Sequence, residues 1–190
     1  YNGTSPQTLP SGFTTYFNLT SNNTAGVGGF AGLTVQTLWR MQAGTFTANS
    51  TTANNVQIDS GATLAGTSAT TINVSGNWTN NGTFTANTNT VNFNGSTAQT
   101  IGGSSVTTFN NLTIANAAGV SLGANANVNA VLTLTNDLTT GANILTMPNT
   151  GTSAGTADVI GNVRRTGFIG GGSALSFGNP FNSIGFIAQG

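Results

Sequence analysis

Apolar residues in this chain fall in short alternating triplets, not in helical stripes. Val56-Gln-Ile58, Ile72-Asn-Val74, Val91-Asn-Phe93, Leu112-Thr-Ile114 and Leu132-Thr-Leu134 each put two apolar side chains on one side of an extended segment and a polar one on the other. That is the pattern of a half-buried strand. Their first members step by 16, 19, 21 and 20 residues, and a second series, Phe46, Leu64, Phe84, Ile101, Leu122 and Leu145, steps by 18, 20, 17, 21 and 23. Two apolar columns with a common step near twenty predict a parallel β-solenoid, each coil giving one strand to each face.

A long internal repeat points the same way. Tyr1-Asn-Gly-Thr-Ser-Pro-Gln-Thr8 recurs as Phe93-Asn-Gly-Ser-Thr-Ala-Gln-Thr100, Tyr16-Phe-Asn-Leu-Thr20 as Phe109-Asn-Asn-Leu-Thr113, and Ala25-Gly26-Val27 as Ala118-Gly119-Val120, at an offset of 92 and then 93 residues. Self-similarity at fixed spacing marks stacked units that bury a continuous core. Asn, Thr, Ser and Gly recur every few residues and compete with helical hydrogen bonding, so strands are what remain. Asn-Gly at 2–3, 81–82 and 94–95 and the scattered glycines suit tight corners. The same dipeptide also signals two-residue hairpins, so an antiparallel meander is the competing architecture. The long repeat favours the solenoid, a rod roughly 35 Å long at about 4.8 Å per coil. Residues 1–8 read as ordinary repeat sequence with no cap. Trp39-Arg-Met-Gln42 interrupts the Thr/Asn rhythm and leaves the coil register of 27–55 open.

The pattern changes near residue 157. Asp158 to Ile169, Ala174 to Phe177 and Ile184 to Ile187, separated by Gly-rich breaks, predict a short antiparallel β-sheet module. The expected organisation is a solenoid over 1–156 and a junction module over 157–190, whose missing strands come from the next segment of chain or from a neighbouring subunit.

Composition narrows the function classes. The chain has three Arg, three Asp, and no Lys, Glu, His or Cys, with zero net charge. It carries no basic footprint for nucleic acid, no polybasic stretch and no long apolar run for a membrane. Neither partner is expected, nor a metal or other cofactor. The start at Tyr1, without an initiator Met or signal pattern, reads as a mature or excised piece of something larger.

With these residues in view, a resemblance can be stated. Val74-Ser-Gly-Asn-Trp-Thr-Asn-Asn-Gly-Thr-Phe84, Val91-Asn-Phe-Asn-Gly-Ser96, Gln99-Thr-Ile101 and Phe109-Asn-Asn-Leu-Thr-Ile114 resemble the β-strand-repeat segments of large secreted bacterial surface proteins, the adhesin-like and autotransporter-passenger-like parallel β-helices. Gly161-Asn-Val-Arg-Arg-Thr166 and Leu175-Ser-Phe-Gly-Asn-Pro180 resemble the module that commonly follows them. The resemblance implies an extracellular structural or adhesive role and supplies no catalytic residues.

Candidate chemistry is sparse. Parallel β-helices include polysaccharide lyases and glycosidases, which need paired carboxylates or an acidic calcium cluster. Only Asp59, Asp137 and Asp158 are available, and Asp137 and Asp158 lie 21 residues apart, about one coil, with Arg164 or Arg165 as a local ion partner. Turn aspartates with a charge pair are the simpler reading. Arg164 and Arg165 point to opposite faces of a strand, so either both are solvated, or one turns inward or into an interface and needs an acceptor such as Asp158 or main-chain carbonyls. Trp39 and Trp78 fit a coil interior better than a sugar platform. Thr45-Phe-Thr47, Thr83-Phe-Thr85 and Thr133-Leu-Thr135 fall too irregularly for an ice-binding row. Nine sequons, at Asn2, Asn18, Asn22, Asn49, Asn73, Asn77, Asn81, Asn94 and Asn111, offer glycosylation sites, in about the number that this composition gives by chance.

The expected function is a non-enzymatic extracellular building block of a bacterial surface fibre or stalk. Its partner is itself, as head-to-tail protomers joined by strand addition or as tandem repeats of one chain, with junction residues Tyr1, Arg164, Arg165, Phe177, Phe181 and Phe186. A glycan-binding adhesin or polysaccharide-acting β-helix is the alternative.

Overall fold

The computed structural model describes residues 1–167. Among them there is no helix, and every strand ladder is parallel. The chain winds into a β-solenoid of about eight coils, and the antiparallel meander is excluded.

Each coil visits three faces in turn. On the first, Val35, Ala53, Val74, Phe93, Ile114, Leu134 and Gly155 are register partners in successive coils. On the second, Leu19, Trp39, Val56, Trp78, Ile101 and Leu122 stack. On the third, Val27, Phe46, Leu64 and Phe84 stack in a five-stranded sheet. That sheet ends at Thr83–Thr85. The strand Thr107–Ile114 then packs beside it, with the Phe84 and Phe109 rings 5.9 Å apart, and the face continues as Thr107, Ala126, Leu145 and Val163.

The corners explain why turn residues did not make hairpins. Long strands run round them: Leu33–Ala43 passes from the first face to the second through a register shift between Val35 and Leu38, and Thr107–Ile114 passes from the third to the first between Phe109 and Asn111. A bulge of this kind bends a strand without reversing it. Gly44 makes another corner at φ +65°, where a Cβ would come within 1.9 Å of the Asn23 carbonyl oxygen.

Inward positions from all three faces merge into one apolar column containing Trp39, Trp78, Phe46, Phe93 and Phe109, all fully buried. Burial of each such ring contributes on the order of 2–3 kcal/mol against the entropy of ordering the coil. Trp39 meets Phe46 edge to face at 5.1 Å, and Trp78 meets Phe84 in the same way at 4.8 Å.

Three expectations need correction. First, the two columns read from spacing each mix two faces. Val56-Gln-Ile58 lies on the second face while the rest of its series lies on the first, and Ile101 and Leu122 lie on the second while Phe46, Leu64, Phe84 and Leu145 lie on the third. Second, the register that the sequence left open over residues 27–55 is defined: the segment continues the stack through the shift between Val35 and Leu38, with Trp39 paired between Leu19 and Val56. Third, the stack does not stop near residue 157. Val159–Thr166 pairs parallel with Leu138–Pro148, so this stretch is a further coil of the solenoid and not the opening of an antiparallel sheet. The strands expected at 174–177 and 184–187 lie outside the described residues.

The internal repeat has an unexpected phase. Leu19 stacks on the second face and its repeat partner Leu112 on the first; Gln7 pairs with Val27 on the third face and Gln99 with Val120 on the second. The repeat therefore spans four coils and two faces, so its second copy is rotated by one face about the rod. Faces, not whole coils, are the interchangeable units.

Candidate functional site

Two of the three carboxylates, Asp59 and Asp137, are engaged in bracing the fold. Asp59 Oδ2 accepts from Arg40 Nε at 2.7 Å and lies 2.6 Å from Arg40 Nη2, while Asp59 Oδ1 accepts from Gln57 Nε2 at 2.7 Å. Partial burial works to raise the Asp59 carboxyl, but the hydrogen bonds from Arg40 and Gln57 and the Arg40 charge hold it below the usual carboxylate range. Arg40, Gln57 and Asp59 thus form a local clasp between two coils.

Asp137 and Asp158 do come together, as their one-coil spacing predicted. Asp137 Oδ1 accepts the Asp158 backbone N–H at 2.9 Å, which makes Asp137 a brace for the next corner. A shallow depression of about 380 Å³ beside it is lined by Asn116, Thr135, Asp137, Thr139 and Ile160. No group of three metal-ligating side chains occurs among the described residues.

Arg164 and Arg165 point opposite ways, as alternation requires. Arg164 is exposed. Arg165 pairs in register with the buried Met147 and its Nη1 donates to the Pro148 and Gly151 carbonyls at 2.9 and 2.7 Å. Burial lowers the guanidinium pKa. These acceptors are main-chain carbonyls and not the Asp158 carboxylate.

Both tryptophans belong to the core, at 0% and 1% exposure, so neither offers a sugar platform. Trp78 Nε1 donates to Thr107 Oγ1 at 3.1 Å. Of the sequon asparagines, Asn2, Asn18, Asn22, Asn77 and Asn94 are exposed and Asn49, Asn73, Asn81 and Asn111 half-buried. Several are structural: Asn77 Oδ1 accepts the Thr100 N–H, Asn81 Oδ1 the Ser104 N–H, and Asn73 Oδ1 the Asn92 Nδ2, each at 2.9 Å.

The most organised polar feature was passed over at the level of sequence. Asn116 is fully buried at a corner; its Nδ2 donates to Thr97 O at 2.6 Å and Gln99 Oε1 at 2.9 Å, and its Oδ1 accepts the Ala118 N–H at 2.8 Å. Asn23 repeats this bond for bond: Nδ2 to Ser5 O at 2.8 Å and Gln7 Oε1 at 2.9 Å, with the Ala25 N–H on Oδ1 at 2.9 Å. Asn80 brackets a third corner through Gly82 N–H and Thr107 Oγ1. At these three corners Asn23, Asn80 and Asn116 thus supply hydrogen bonds that a buried turn would otherwise leave unmade. The signal was present, since Gln7 and Gln99 stand at equivalent places in the repeat.

The junction candidates divide between the ends. Tyr1 is 39% exposed in the first coil, whereas Arg164 and Arg165 lie in the last described strand, Val159–Thr166. Phe177, Phe181 and Phe186 lie outside the described residues. Among the described residues Asn2–Gly3 and Gln7–Thr8 are the outermost strands of their sheets at the amino-terminal end, and at the other end Thr152–Gly155 pairs with Ala126–Leu134 and Val159–Thr166 with Leu138–Pro148.

Comparison of the chain with protein-family models, with curated proteins and with solved structures finds no match.

Proposed function

We propose that this chain is a non-enzymatic structural protein, a subunit of an extracellular bacterial surface fibre or stalk that assembles head to tail through β-strand contacts. The observation that carries the reading is a stack of parallel strands around one continuous apolar column, in which Asn2–Gly3 and Gln7–Thr8 have no outer neighbour among the described residues. Such edges are templates for further strands. Rigidity comes from main-chain hydrogen bonds along the stack, and the nearly charge-free surface lets copies pack without repulsion. The resemblance to β-strand-repeat surface proteins supports the location, and the engagement of Asp59 and Asp137 in bracing the fold supports a role without catalysis.

Negative-stain electron microscopy and sedimentation of the purified full chain test the reading. Filaments that lengthen with concentration are expected. A folded chain that stays monomeric and binds defined glycans on an array would replace this reading with the adhesin alternative.

A further inference from the structure

We propose that Asn81 and Asn94 are latent deamidation sites, held inert in the folded solenoid because the buried side chains of Asn80 and Gln99 occupy the backbone nitrogens that would attack them. The inference is independent of the fibre reading and concerns the chemical lifetime of the chain.

Asparagine is a thermolabile residue, and most so before glycine, which has no side chain to shield its nitrogen or to restrict the turn that brings it onto the preceding carboxamide. The glycine nitrogen loses its proton and bonds to the asparagine Cγ, the Cγ–Nδ2 bond breaks, and Nδ2 leaves with a proton as ammonia. Water then opens the cyclic imide to aspartate or isoaspartate. The chain carries three such pairs, at 2–3, 81–82 and 94–95.

The two pairs inside the rod share one arrangement. The Gly82 N–H donates to Asn80 Oδ1 at 3.1 Å, and the Gly95 N–H donates to Gln99 Oε1 at 3.0 Å. Asn80 and Gln99 are each 1% exposed. Both are anchored by further bonds: Asn80 Nδ2 donates to Thr107 Oγ1 at 3.2 Å, while Gln99 Nε2 donates to Val74 O and Gln99 Oε1 accepts from Asn116 Nδ2, each at 2.9 Å. A nitrogen whose N–H is committed to a fixed, buried acceptor keeps its proton from solvent base and is held out of line for attack. The carboxamides at risk lie nearer the solvent, Asn94 exposed and Asn81 half-buried. Asn81 carries a second restraint, since its Oδ1 accepts from Ser104 N at 2.9 Å and Ser104 Oγ at 3.1 Å.

Packing explains why the labile dipeptide is present at all. A Cβ at Gly82 would collide with the Asp59 and Ala62 carbonyl oxygens, and one at Gly95 with the Ser75 carbonyl oxygen. Both corners therefore demand the residue that makes the preceding asparagine reactive. Reaction would place a new negative charge on a chain with only three Asp and three Arg. Isoaspartate at 94 would also add a methylene to the main chain beside the Asn94 N–H bond to Val74 O.

Peptide mapping by mass spectrometry, on full-length wild type, Gln99→Met and Asn80→Leu aged in mildly alkaline buffer, tests the assignment. Folded wild type should deamidate at Asn81 and Asn94 about tenfold or more slowly than the same chain unfolded in urea, the scale of one or two hydrogen bonds. Gln99→Met keeps the bulk and removes the oxygen, so it should release Asn94 and leave Asn81 protected; Asn80→Leu should do the reverse. Folded wild type that reacts at the unfolded rate overturns the proposal. Variants with wild-type circular dichroism in which the guarded site stays protected, or in which both sites speed up together, overturn the roles of Asn80 and Gln99. If a variant fails to fold, hydrogen exchange of the Gly82 and Gly95 amides in wild type decides for that site: slow exchange supports the guard, and exchange at the unprotected rate overturns it.

Discussion

The hydroxyls of Tyr1 and Tyr16 lie 3.3 Å apart at the place where, one repeat later, Phe93 and Phe109 meet edge to face with ring centroids 6.4 Å apart. The same aromatic pair is used twice, with oxygen added where the coil is open to water and left out where it is sealed in the rod. Partial burial, then the hydrogen bond and charge of Tyr1, push the Tyr16 pKa up to about 12.

This has a consequence in alkali. A phenol whose folded pKa exceeds its unfolded value of about 10 contributes stability that is fully present below pH 10 and is lost as pH rises toward 12. Thermal unfolding followed by circular dichroism should show a midpoint that falls over that window in wild type and falls less in Tyr16→Phe. Equal slopes in the two proteins would mean that the pair is not coupled to folding.

Corner asparagines should separate sharply from surface ones. Asn116→Ala removes an inward bracket and leaves Gln99 Oε1 and the Ala118 N–H short of a partner, at a cost of about 2–3 kcal/mol. Asn94→Ala, at an exposed sequon position, should cost less than about 0.5 kcal/mol. Denaturant midpoints of the two variants give the comparison.

Backbone conformation predicts a similar contrast between glycines. Gly44 and Gly61 both have positive φ, but a Cβ at Gly44 would collide with the Asn23 carbonyl whereas one at Gly61 meets nothing within 4 Å. Gly44→Ala should cost about 3 kcal/mol or prevent folding, and Gly61→Ala about 1 kcal/mol. Comparable losses at the two sites would show that the close approach of the corner to Asn23 is not a constraint.

The tryptophans give an optical test of the core. With Trp39 and Trp78 buried, native emission should be blue-shifted, resist quenching by iodide, and move to the red only on unfolding. Trp78→Ala, which removes the ring packed edge to face against Phe84 and the donor to Thr107, should cost about 3–5 kcal/mol. Red-shifted native emission that responds to added oligosaccharide would restore a surface role for these rings.

Much of this architecture was legible in the chain itself. Alternation over three residues fixes which side chains point in, a step near twenty residues fixes the coil, and poor helix formers remove the competing element. The 1–8 and 93–100 segments announce an array. Each of these is local or periodic information, and such information survives without knowledge of partners.

Closure of the coil decided the rest. With three faces of similar length, a step of 17 from Phe84 to Ile101 or of 16 from Val56 to Ile72 crosses a corner, yet on spacing alone it looks like a step along one face. Only the hydrogen-bonded register distinguishes them, and only that register shows the second copy of the repeat turned by one face. The inward asparagines were hidden for the same reason. Asn23 and Asn116 have the same composition-level appearance as the exposed Asn22 and the half-buried Asn111. What separates them is whether the strand parity at a corner drives the amide into the core, where it must find partners or cost the fold its stability.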